Sequence, residues 1–393
     1  MNTQACSGEF VIQPGGHRVF IPKPLPPDPP LVIDGEMQAL LSKADRALGR
    51  LDGSIRTLPN PDLFIFMYVR KEAVLSSQIE GTQSSLNDIL EVEAEIFDSQ
   101  RPRDVDEVLN YVRAMNYGLE RLDEFPLSNR LIREIHNVLL NGVRGGNAQP
   151  GEWRKIQNWI GPQGCTLKEA TFVPPPPQQL DEILGQFERF LHELDEILGQ
   201  FERFLHDESL PALLQIGVAH AQFETIHPFL DGNGRVGRLL IAFLLYEKEI
   251  LETPVLYISH FFKKHRQDYY DHLKAVRETG NWEAWLKFFL HGIYEVSQEA
   301  TETARKIVDL REAHRQLIAE HFGRVAGNAM QVLETLYQKP FIKVQDIKDL
   351  THVTYPAANQ LMTKFVDHGL LQEVTGQARN RQFRYGAYID LFI

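Results

Sequence analysis

The sequence predicts a mainly α-helical protein that contains more than one domain. Apolar residues recur at the spacing of a helix face through residues 37–94, with a break near 58–61. They do so again through about 104–122, 127–140, 180–248, 260–276 and 281–317. The proline-dense stretch 22–30 precedes this pattern as an extended lead-in, and residues 141–178, which are rich in glycine, proline and aromatic residues, interrupt it. A chain of 393 residues also exceeds the usual size of a single hydrophobic core. We therefore expect helical units joined by ordered loops or a hairpin.

The composition excludes several classes of protein. The only cysteines, Cys6 and Cys165, lie far apart, which excludes a disulfide framework or a cysteine-based zinc site and favours a reducing compartment. The first residues do not resemble a signal peptide, and no apolar run approaches the ~20 residues that span a bilayer. A cytoplasmic protein without membrane contact is expected. The net charge of −12 disfavours nucleic-acid binding over the whole surface, although a local basic patch stays open.

A short tandem repeat occurs in the middle of the chain. The segment LDEILGQFERFLH at 180–192 recurs letter for letter at 194–206. A period of 14 residues is close to four helical turns, so a second copy would lengthen a helix by about 21 Å with little rotation of its apolar face. Two copies are too few for a solenoid. We interpret the repeat as a recent duplication, tolerated as an extension or a bulged loop, whose role the sequence does not reveal.

The C-terminal segment has a different pattern from the rest. From residue 327 it predicts an amphipathic helix, two further helices joined by a short turn, and two short strands around a basic turn. Helix, helix-turn-helix and hairpin together make a winged-helix pattern. DNA binding and a dimerisation or spacer role both stay open. The candidate DNA-contacting residues are Asn359, Gln360, Lys364, Arg379, Arg381 and Arg384.

The segment HPFLDGNGRVGR, residues 227–238, joins two predicted helices. The apolar run 212–226 delivers His227 to the end of the first helix, where Pro228 stops it, and a second helix begins at about Arg235. The glycine-rich turn therefore lies at a helix N-terminus. Unpaired amides and the positive end of the helix dipole attract anions at such a position.

The residue types around this turn suit a polyphosphate. Gly232 and Gly234 let the backbone approach a ligand, and Arg235 and Arg238, three residues apart, are expected to point toward the same anion. The nearby carboxylate of Asp231 would repel phosphate unless it held a cation such as Mg²⁺. His227 is the one residue in the turn that can accept a proton at neutral pH. This set of residues indicates attack of a hydroxyl on phosphorus.

The segment resembles the signature of the Fic family, H-x-F-x-[DE]-G-N-G-R-x-x-R. The resemblance implies an enzyme that transfers AMP from ATP to a protein hydroxyl and releases pyrophosphate. Every fixed position of the signature is matched, by His227, Phe229, Asp231, Gly232, Asn233, Gly234, Arg235 and Arg238. A P-loop is excluded because no GK[ST] follows the glycines, and no HExxH supports a zinc hydrolase built on His220, His227 and Asp231.

The resemblance also implies a role for each residue. His227 would deprotonate the target hydroxyl of a Ser, Thr or Tyr, Asp231 would bind Mg²⁺, and Phe229 would anchor the loop in the core. Arg235 and Arg238 would hold the β- and γ-phosphates of ATP. The implied nucleotide-binding residues of the turn are Gly232, Asn233, Gly234, Arg235, Val236, Gly237 and Arg238.

An inhibitory motif is also matched. Ser76-x-x-x-Glu80-Gly81 resembles the family's inhibitory motif, [ST]-x-x-x-E-[GN]. Ser76 and Glu80 share a helix face, and Gly81 suits a left-handed cap after it. The Glu80 carboxylate could pair with Arg238 and displace the γ-phosphate of ATP. An exposed glutamate at a helix end is the alternative.

Two more segments resemble family features. Residues 154–161 and 170–177 are similar to a β-hairpin flap that would hold the target by strand addition, and a rigid surface hairpin is the alternative. Tyr270 lies where family members stack an aromatic ring on adenine, although Tyr269 or Tyr270 could instead belong to the core. Arg277 stands where some relatives carry asparagine near the base, which leaves the nucleotide preference less certain than phosphate binding.

The expected fold is a Fic helical core with a small β-hairpin flap and a C-terminal winged helix-turn-helix domain. We expect a protein adenylyltransferase inhibited by Glu80, with ATP as substrate and Mg²⁺ as cofactor. The alternatives are removal of AMP at the same site, and a DNA-binding regulator that only senses nucleotide. The target stays open, as does the oligomeric state, for which a two-fold dimer is the commonest outcome. The predicted units are an extended segment (1–30), a helical region with the inhibitory helix (31–100), the Fic core (101–290), a connecting helix (291–325) and the winged helix (326–393).

Overall fold

The protein is mainly helical, as its sequence predicts. In the computed structural model, α-helices supply most of the regular structure and the strands are short. The structure describes residues 7–56, 58, 60–96, 102, 104–143, 148–162, 164–197, 210–377 and 380–393. Within those residues, no helix is both long and apolar enough to cross a membrane.

The N-terminal segment forms a hairpin that the sequence reading missed. Strand β1 (Gly8–Ile12) pairs antiparallel with β2 (Arg18–Pro22). Gly16, with φ of +80°, takes the left-handed conformation that the tight turn between the strands requires. The Phe20 N–H donates to the carbonyl of Val173, 2.9 Å away, and so ties the hairpin to the second segment of the expected flap.

The helix that carries Glu80 belongs to an N-terminal helical unit. The break expected near residues 58–61 separates its first two helices, and Ser85 caps the third by accepting a hydrogen bond from the Asp88 N–H. The first helix packs along the long helix α11 described below. The helices are α1 (Gly35–Arg56), α2 (Asp62–Ile79) and α3 (Leu86–Glu93).

The central helices enclose the apolar core. Helices α7 and α8 are buried along most of their length, which explains why α7 lacks a polar face in the sequence. Both lie among the other helices of the bundle, and the turn 227–232 between them therefore has a rigid support. The central helices are α4 (Val105–Leu122), α5 (Asn129–Leu140), α6 (Leu180–Ile197), α7 (Ala212–Ile226) and α8 (Asn233–Glu247).

The remaining helices run from the core to the C-terminal segment. The boundary expected between residues 290 and 291 falls inside one continuous helix of 40 residues, α11, whose buried face extends through Ala304 and Ile307. The core and the C-terminal segment therefore share a rigid element. These helices are α9 (Ser259–Lys264), α10 (Arg266–Thr279) and α11 (Trp282–His321).

The C-terminal segment has its own small sheet, in the order β3-β5-β4. It packs against the N-terminal helical unit, because Gln382 donates to the carbonyl of Ala94 and the Phe392 ring contacts those of Phe64 and Tyr68. The elements are α12 (Ala326–Leu336), β3 (Phe341–Lys343), α13 (Val344–Thr351), α14 (Tyr355–Asp367), β4 (Gln372–Glu373), β5 (Gln382–Arg384) and α15 (Gly386–Ile389). The predicted helix, the helix pair and the two later strands are present, whereas β3 and α15 were not predicted. The winged-helix assignment stays a prediction.

Two of the candidate DNA-contacting arginines have partners within this segment. Arg381 donates to Oδ1 of Asn359, and Arg384 forms an ion pair with Asp390 at 2.6 Å. Arg379 lies outside the described residues. DNA binding by this segment stays a prediction.

The first repeat copy forms most of α6. Its apolar residues face the core, and the Asn129 side chain donates to the carbonyl of Leu184, which links α6 to α5. The buried members are Leu180, Ile183, Leu184, Phe187, Phe190 and Leu191. Most of the second copy lies outside the described residues, since α6 is described only to Ile197.

Candidate active site

The turn between α7 and α8 is closed by its own side chains. His227 caps α7 in the left-handed conformation, with φ of +49°, and Gly232 takes the same region at +78° just before α8 begins. The Asn233 side chain accepts from the Phe229 N–H and donates to the Phe229 carbonyl, both at 2.9 Å. The Asn233 side chain therefore stabilises the conformation of the turn and does not point toward a ligand.

Phe229 anchors the turn in the core, as expected. Its fully buried ring stacks on His136 of α5 with 3.6 Å between ring centroids. His136 Nδ1 accepts from the Gly151 N–H at 2.8 Å, so Nε2 carries the proton and donates to the carbonyl of Asp231 at 3.0 Å. Burial lowers the pKa of His136 to about 4, which keeps the ring neutral in this role.

The electrostatic surroundings of His227 suit a proton acceptor. Burial, assisted by the positive charge of Arg154, lowers the pKa of His227 to about 4, while Glu80 acts in the opposite direction. The imidazole is therefore neutral at physiological pH. A neutral imidazole can take a proton from a hydroxyl group, whereas a protonated one cannot.

Arg238 and Glu80 form the closest ion pair of the site. The guanidinium of Arg238 is almost fully buried and donates to Ser76 Oγ at 2.8 Å, to the Ser76 carbonyl at 3.0 Å and to Glu80 Oε1 at 2.7 Å. Burial would raise the pKa of Glu80, but the charge of Arg238 overrides it and the pKa lies below its ordinary value. Gly81 follows with φ of +99°, the left-handed cap expected of it.

The Glu80 carboxylate lies over the N-terminus of α8. A Cβ atom added to Gly234 would overlap Glu80 Oε1 and would come within 3.0 Å of the Arg238 guanidinium. Amides in the first turn of a helix have no partner within the helix, and the dipole adds positive charge there. A carboxylate of the protein therefore occupies the position where we expected an anionic ligand.

Arg235 has a hydrogen-bond partner of its own, although its positive charge also acts on Glu80. Its contact with phosphate stays a prediction. Its guanidinium is buried between α8 and α4, at 3.5 Å from Glu107 Oε2 and 3.8 Å from Asp231 Oδ1. The two acids come from different elements, because Glu107 belongs to α4 and Asp231 to the turn. Glu107 gave no signal in the sequence, because its position depends on how α4 packs against α8.

Val236 and Gly237 also differ from expectation. The Val236 side chain is buried in the core and its N–H donates to the Gly232 carbonyl, so Val236 presents no free group to a nucleotide. Gly237 accepts from His220 at 2.8 Å, and a Cβ atom there would overlap the Glu224 carboxylate. Both positions serve the packing of α8 against α7.

The structure distinguishes the two candidate tyrosines. Tyr269 is 1% exposed and its hydroxyl donates to His220 Nε2, which makes it part of the core. Tyr270 is 38% exposed, and after burial the nearby charge of Glu80 is the main influence that raises its pKa to about 12. The exposed ring at the site is therefore Tyr270. The Arg277 guanidinium lies 4.1 Å from the Phe172 ring.

The expected flap is a short antiparallel pairing that rests on the turn. Ile160 and Phe172 exchange both backbone hydrogen bonds, at 2.8 and 3.0 Å. Asn158 donates to the Phe229 carbonyl at 2.8 Å, and the buried guanidinium of Arg154 donates to the His227 carbonyl at 2.9 Å. The first strand of the flap is therefore bonded directly to the turn that carries His227.

The Fic/DOC family matches at residues 126–245, and the Fic/DOC family N-terminal region matches at residues 38–120; together they span slightly more than half of the chain. The chain belongs to the Fic/DOC family. The second match contains the turn with His227, and the first contains Glu80.

Relatives and one solved structure agree with this membership. The chain is 28% identical over 258 residues to the protein adenylyltransferase Fic of Drosophila yakuba, covering 64% of the chain and 45% of that protein. It is 31% identical over 216 residues to the enzyme of the same name from Aedes aegypti, covering 53% and 37%. The chain thus spans less than half the length of these relatives. A Fic family protein from Desulfovibrio desulfuricans G20 has the same fold, with a TM-score of 0.57 at 16% identity, over 91% of this chain and 97% of that one.

Proposed function

We propose that the protein is an adenylyltransferase that transfers AMP from Mg·ATP to a hydroxyl side chain of a protein. The observation that carries the proposal is the position of the Glu80 carboxylate, which lies on Arg238 and the N-terminus of α8. That position is built for an anion, and a neutral imidazole stands at the same turn. The names of the Drosophila and Aedes relatives support the same activity.

The reaction follows from these groups. With Glu80 displaced, the first-turn amides of α8 and the Arg238 guanidinium bind the phosphates of ATP. His227 takes the proton of the target hydroxyl as its oxygen attacks the α-phosphorus. The bond from the α-phosphorus to the bridging oxygen breaks, and pyrophosphate leaves with its electron pair. Positive groups fixed in advance stabilise the charge that builds on the phosphates.

Asp231 is suited to the metal that accompanies ATP. Its side chain is about half exposed, and among the described residues no cluster of three or more His, Cys, Asp or Glu side chains could hold an ion by itself. One carboxylate fits Mg²⁺, which keeps several waters and binds mainly through substrate phosphates. When bound, the ion would neutralise phosphate charge.

A substitution tests this metal role. We expect Asp231→Asn to raise the Mg²⁺ concentration needed for half-maximal AMP transfer about tenfold, because one charged ligand is lost. The measurement is a Mg²⁺ titration of the rate at saturating ATP, with Asp123→Asn as the control since Asp123 pairs with Tyr246 outside the site. An unchanged Mg²⁺ dependence would remove Asp231 from the metal site.

Two labelled forms of ATP separate AMP transfer from phosphoryl transfer. The purified Glu80→Gly chain is incubated, without lysate, with ATP labelled either at the α- or at the γ-phosphate. We expect covalent protein labelling from the α-phosphate only, because pyrophosphate leaves with the γ-phosphate. Labelling from the γ-phosphate, or from neither, would contradict the proposal.

The reverse reaction is a second candidate for the same site. The charge of Glu80 acts on His227, so the carboxylate lies where it could orient a water molecule toward a modified target. Release of AMP from a labelled target by the wild-type chain, and not by Glu80→Gly, would favour this direction.

A further inference from the structure

Arg154 is a deeply buried charged side chain next to the turn. It lies at the start of the flap and is 2% exposed. Its Nε donates to the His227 carbonyl at 2.9 Å, and Nη2 donates to the carbonyls of Pro175 and Ile226. Its backbone N–H donates to the Pro228 carbonyl, also at 2.9 Å. One residue therefore joins the end of α7, the turn and the second segment of the flap.

These contacts lie where the backbone needs external support. His227 is a non-glycine residue in the left-handed region, a conformation that persists only where the surroundings determine it. The His227 carbonyl lies at the C-terminus of α7, where it has no hydrogen-bond donor within the helix, and Arg154 supplies that donor. The direction of the imidazole depends on this backbone conformation.

The charge of Arg154 is not explained by an ion pair. Among the described residues, its hydrogen bonds go to carbonyl groups and none goes to a carboxylate. Burial lowers the pKa of Arg154 to about 10, so the group stays charged at neutral pH. A buried charge without a counter-ion is costly, and a neutral side chain would serve packing better.

We propose that Arg154 is a positioning residue for the catalytic base, one that fixes the left-handed turn at His227 and joins it to the flap at Pro175. This inference rests on the proposed function, because it assigns His227 as the base. Since one guanidinium bonds both the turn at His227 and the flap at Pro175, it fixes the position of the base relative to the flap. The planar fork of arginine reaches several carbonyls at once, whereas a lysine ammonium on a flexible stem lacks that geometry.

The same contact has an electrostatic consequence for His227. Four groups act on its ring: Arg154 from the flap, Arg277 from α10, Glu80 from α2 and the backbone of Glu224 from α7. The two arginines favour the neutral imidazole, and the two glutamates favour the protonated one. Removing the Arg154 charge should therefore raise the pKa of His227 and shift the acid limb of the pH–rate profile upward.

The test compares Arg154→Met with Arg154→Lys, both in the Glu80→Gly background. We expect Arg154→Met to lower kcat for AMP transfer about 100-fold, with the Kd of Mg·ATP changed less than about twofold, since a small misplacement of a reacting group costs this much. The acid limb of the pH–rate profile of Arg154→Met should move upward by about one pH unit. Arg154→Lys keeps the charge, so its acid limb should stay in place while kcat falls. Arg311→Met, which removes a partly buried arginine bound to Glu334, is the control for general destabilisation.

A second measurement does not depend on activity. The His227 imidazole is titrated by NMR, with its signal assigned by its loss in His227→Ala, and we expect its pKa to rise in Arg154→Met. An unchanged pKa and acid limb, or a fall in ATP binding that matches the fall in kcat, would overturn the proposal. If Arg154→Met does not fold, the positioning role is tested with Arg154→Lys alone. A kcat of Arg154→Lys equal to that of the Glu80→Gly parent would refute the role. Absence of AMP transfer in the Glu80→Gly parent would instead refute the proposed function, and the titration would still test Arg154.

Discussion

Replacing Glu80 with glycine is expected to raise the rate of AMP self-labelling by about 10- to 100-fold. The carboxylate bonds to Arg238 at 2.7 Å and covers the first turn of α8, so a nucleotide must displace it before its phosphates can bind there. A hydrogen bond between charged groups contributes about 1.5–3 kcal/mol, which corresponds to this range of rates. The measurement is the initial rate of protein labelling from ATP labelled at the α-phosphate.

A matched control exists on the neighbouring helix. Glu93 of α3 also pairs with an arginine, Arg70, at 2.6 Å, but outside the site, so Glu93→Gly should leave the labelling rate unchanged. Equal labelling by wild type and Glu80→Gly would reject the inhibitory role.

Because Arg238 holds the pKa of Glu80 below its ordinary value, the carboxylate is charged throughout the neutral range. Inhibition should therefore be complete near pH 7 and weaken only as the pH falls through that lowered pKa.

Replacing His227 with alanine is expected to lower AMP transfer by about 10²- to 10⁴-fold, the usual contribution of a positioned general base. The nucleotide should still bind, because Arg238 and the amides of α8 do not depend on the imidazole. The variant is best made in the Glu80→Gly background, with the transfer rate and the Kd of Mg·ATP measured together. His260→Ala is the control, since His260 pairs with Glu299 away from the turn.

The outcome distinguishes a base from a structural residue. A loss of rate with unchanged Mg·ATP affinity would support the role of His227 in the chemical step. Unchanged labelling would remove His227 as the base, and an equal loss of rate and affinity would indicate a disturbed turn.

The low pKa of His227 also predicts a rate that stays constant from neutral pH down to about pH 5, and falls only as the imidazole is protonated.

Several features of the site could be predicted from local sequence. The spacing of Ser76 and Glu80 on one helix face led to the expected pairing with Arg238, and the structure contains that contact. Phe229 was expected in the core, where the structure places it. Such predictions succeed because the 3.6-residue helical period and the conformational freedom of glycine act over a few neighbouring residues.

Other features were missed or differ because they depend on distant segments. His136, Arg154 and Glu107 lie far from residues 227–238 in the chain, yet each contacts that segment. Glu107 approaches Arg235 from α4, a contact that no pattern in the sequence predicted. No periodicity or motif in a single sequence records which side chains will meet across packed helices.

By itself the sequence determined the helical class, the turn between two helices, and the residue types that can bind a polyphosphate and accept a proton. The tertiary structure alone decided that Glu107 of α4 approaches Arg235, and that Arg154 bonds the backbone of His227. The physical reason is the distance along the chain over which the deciding interactions act. Helix formation and turn conformation follow from interactions between near neighbours, whereas the burial and pairing of charges depend on elements that meet only after the chain has folded.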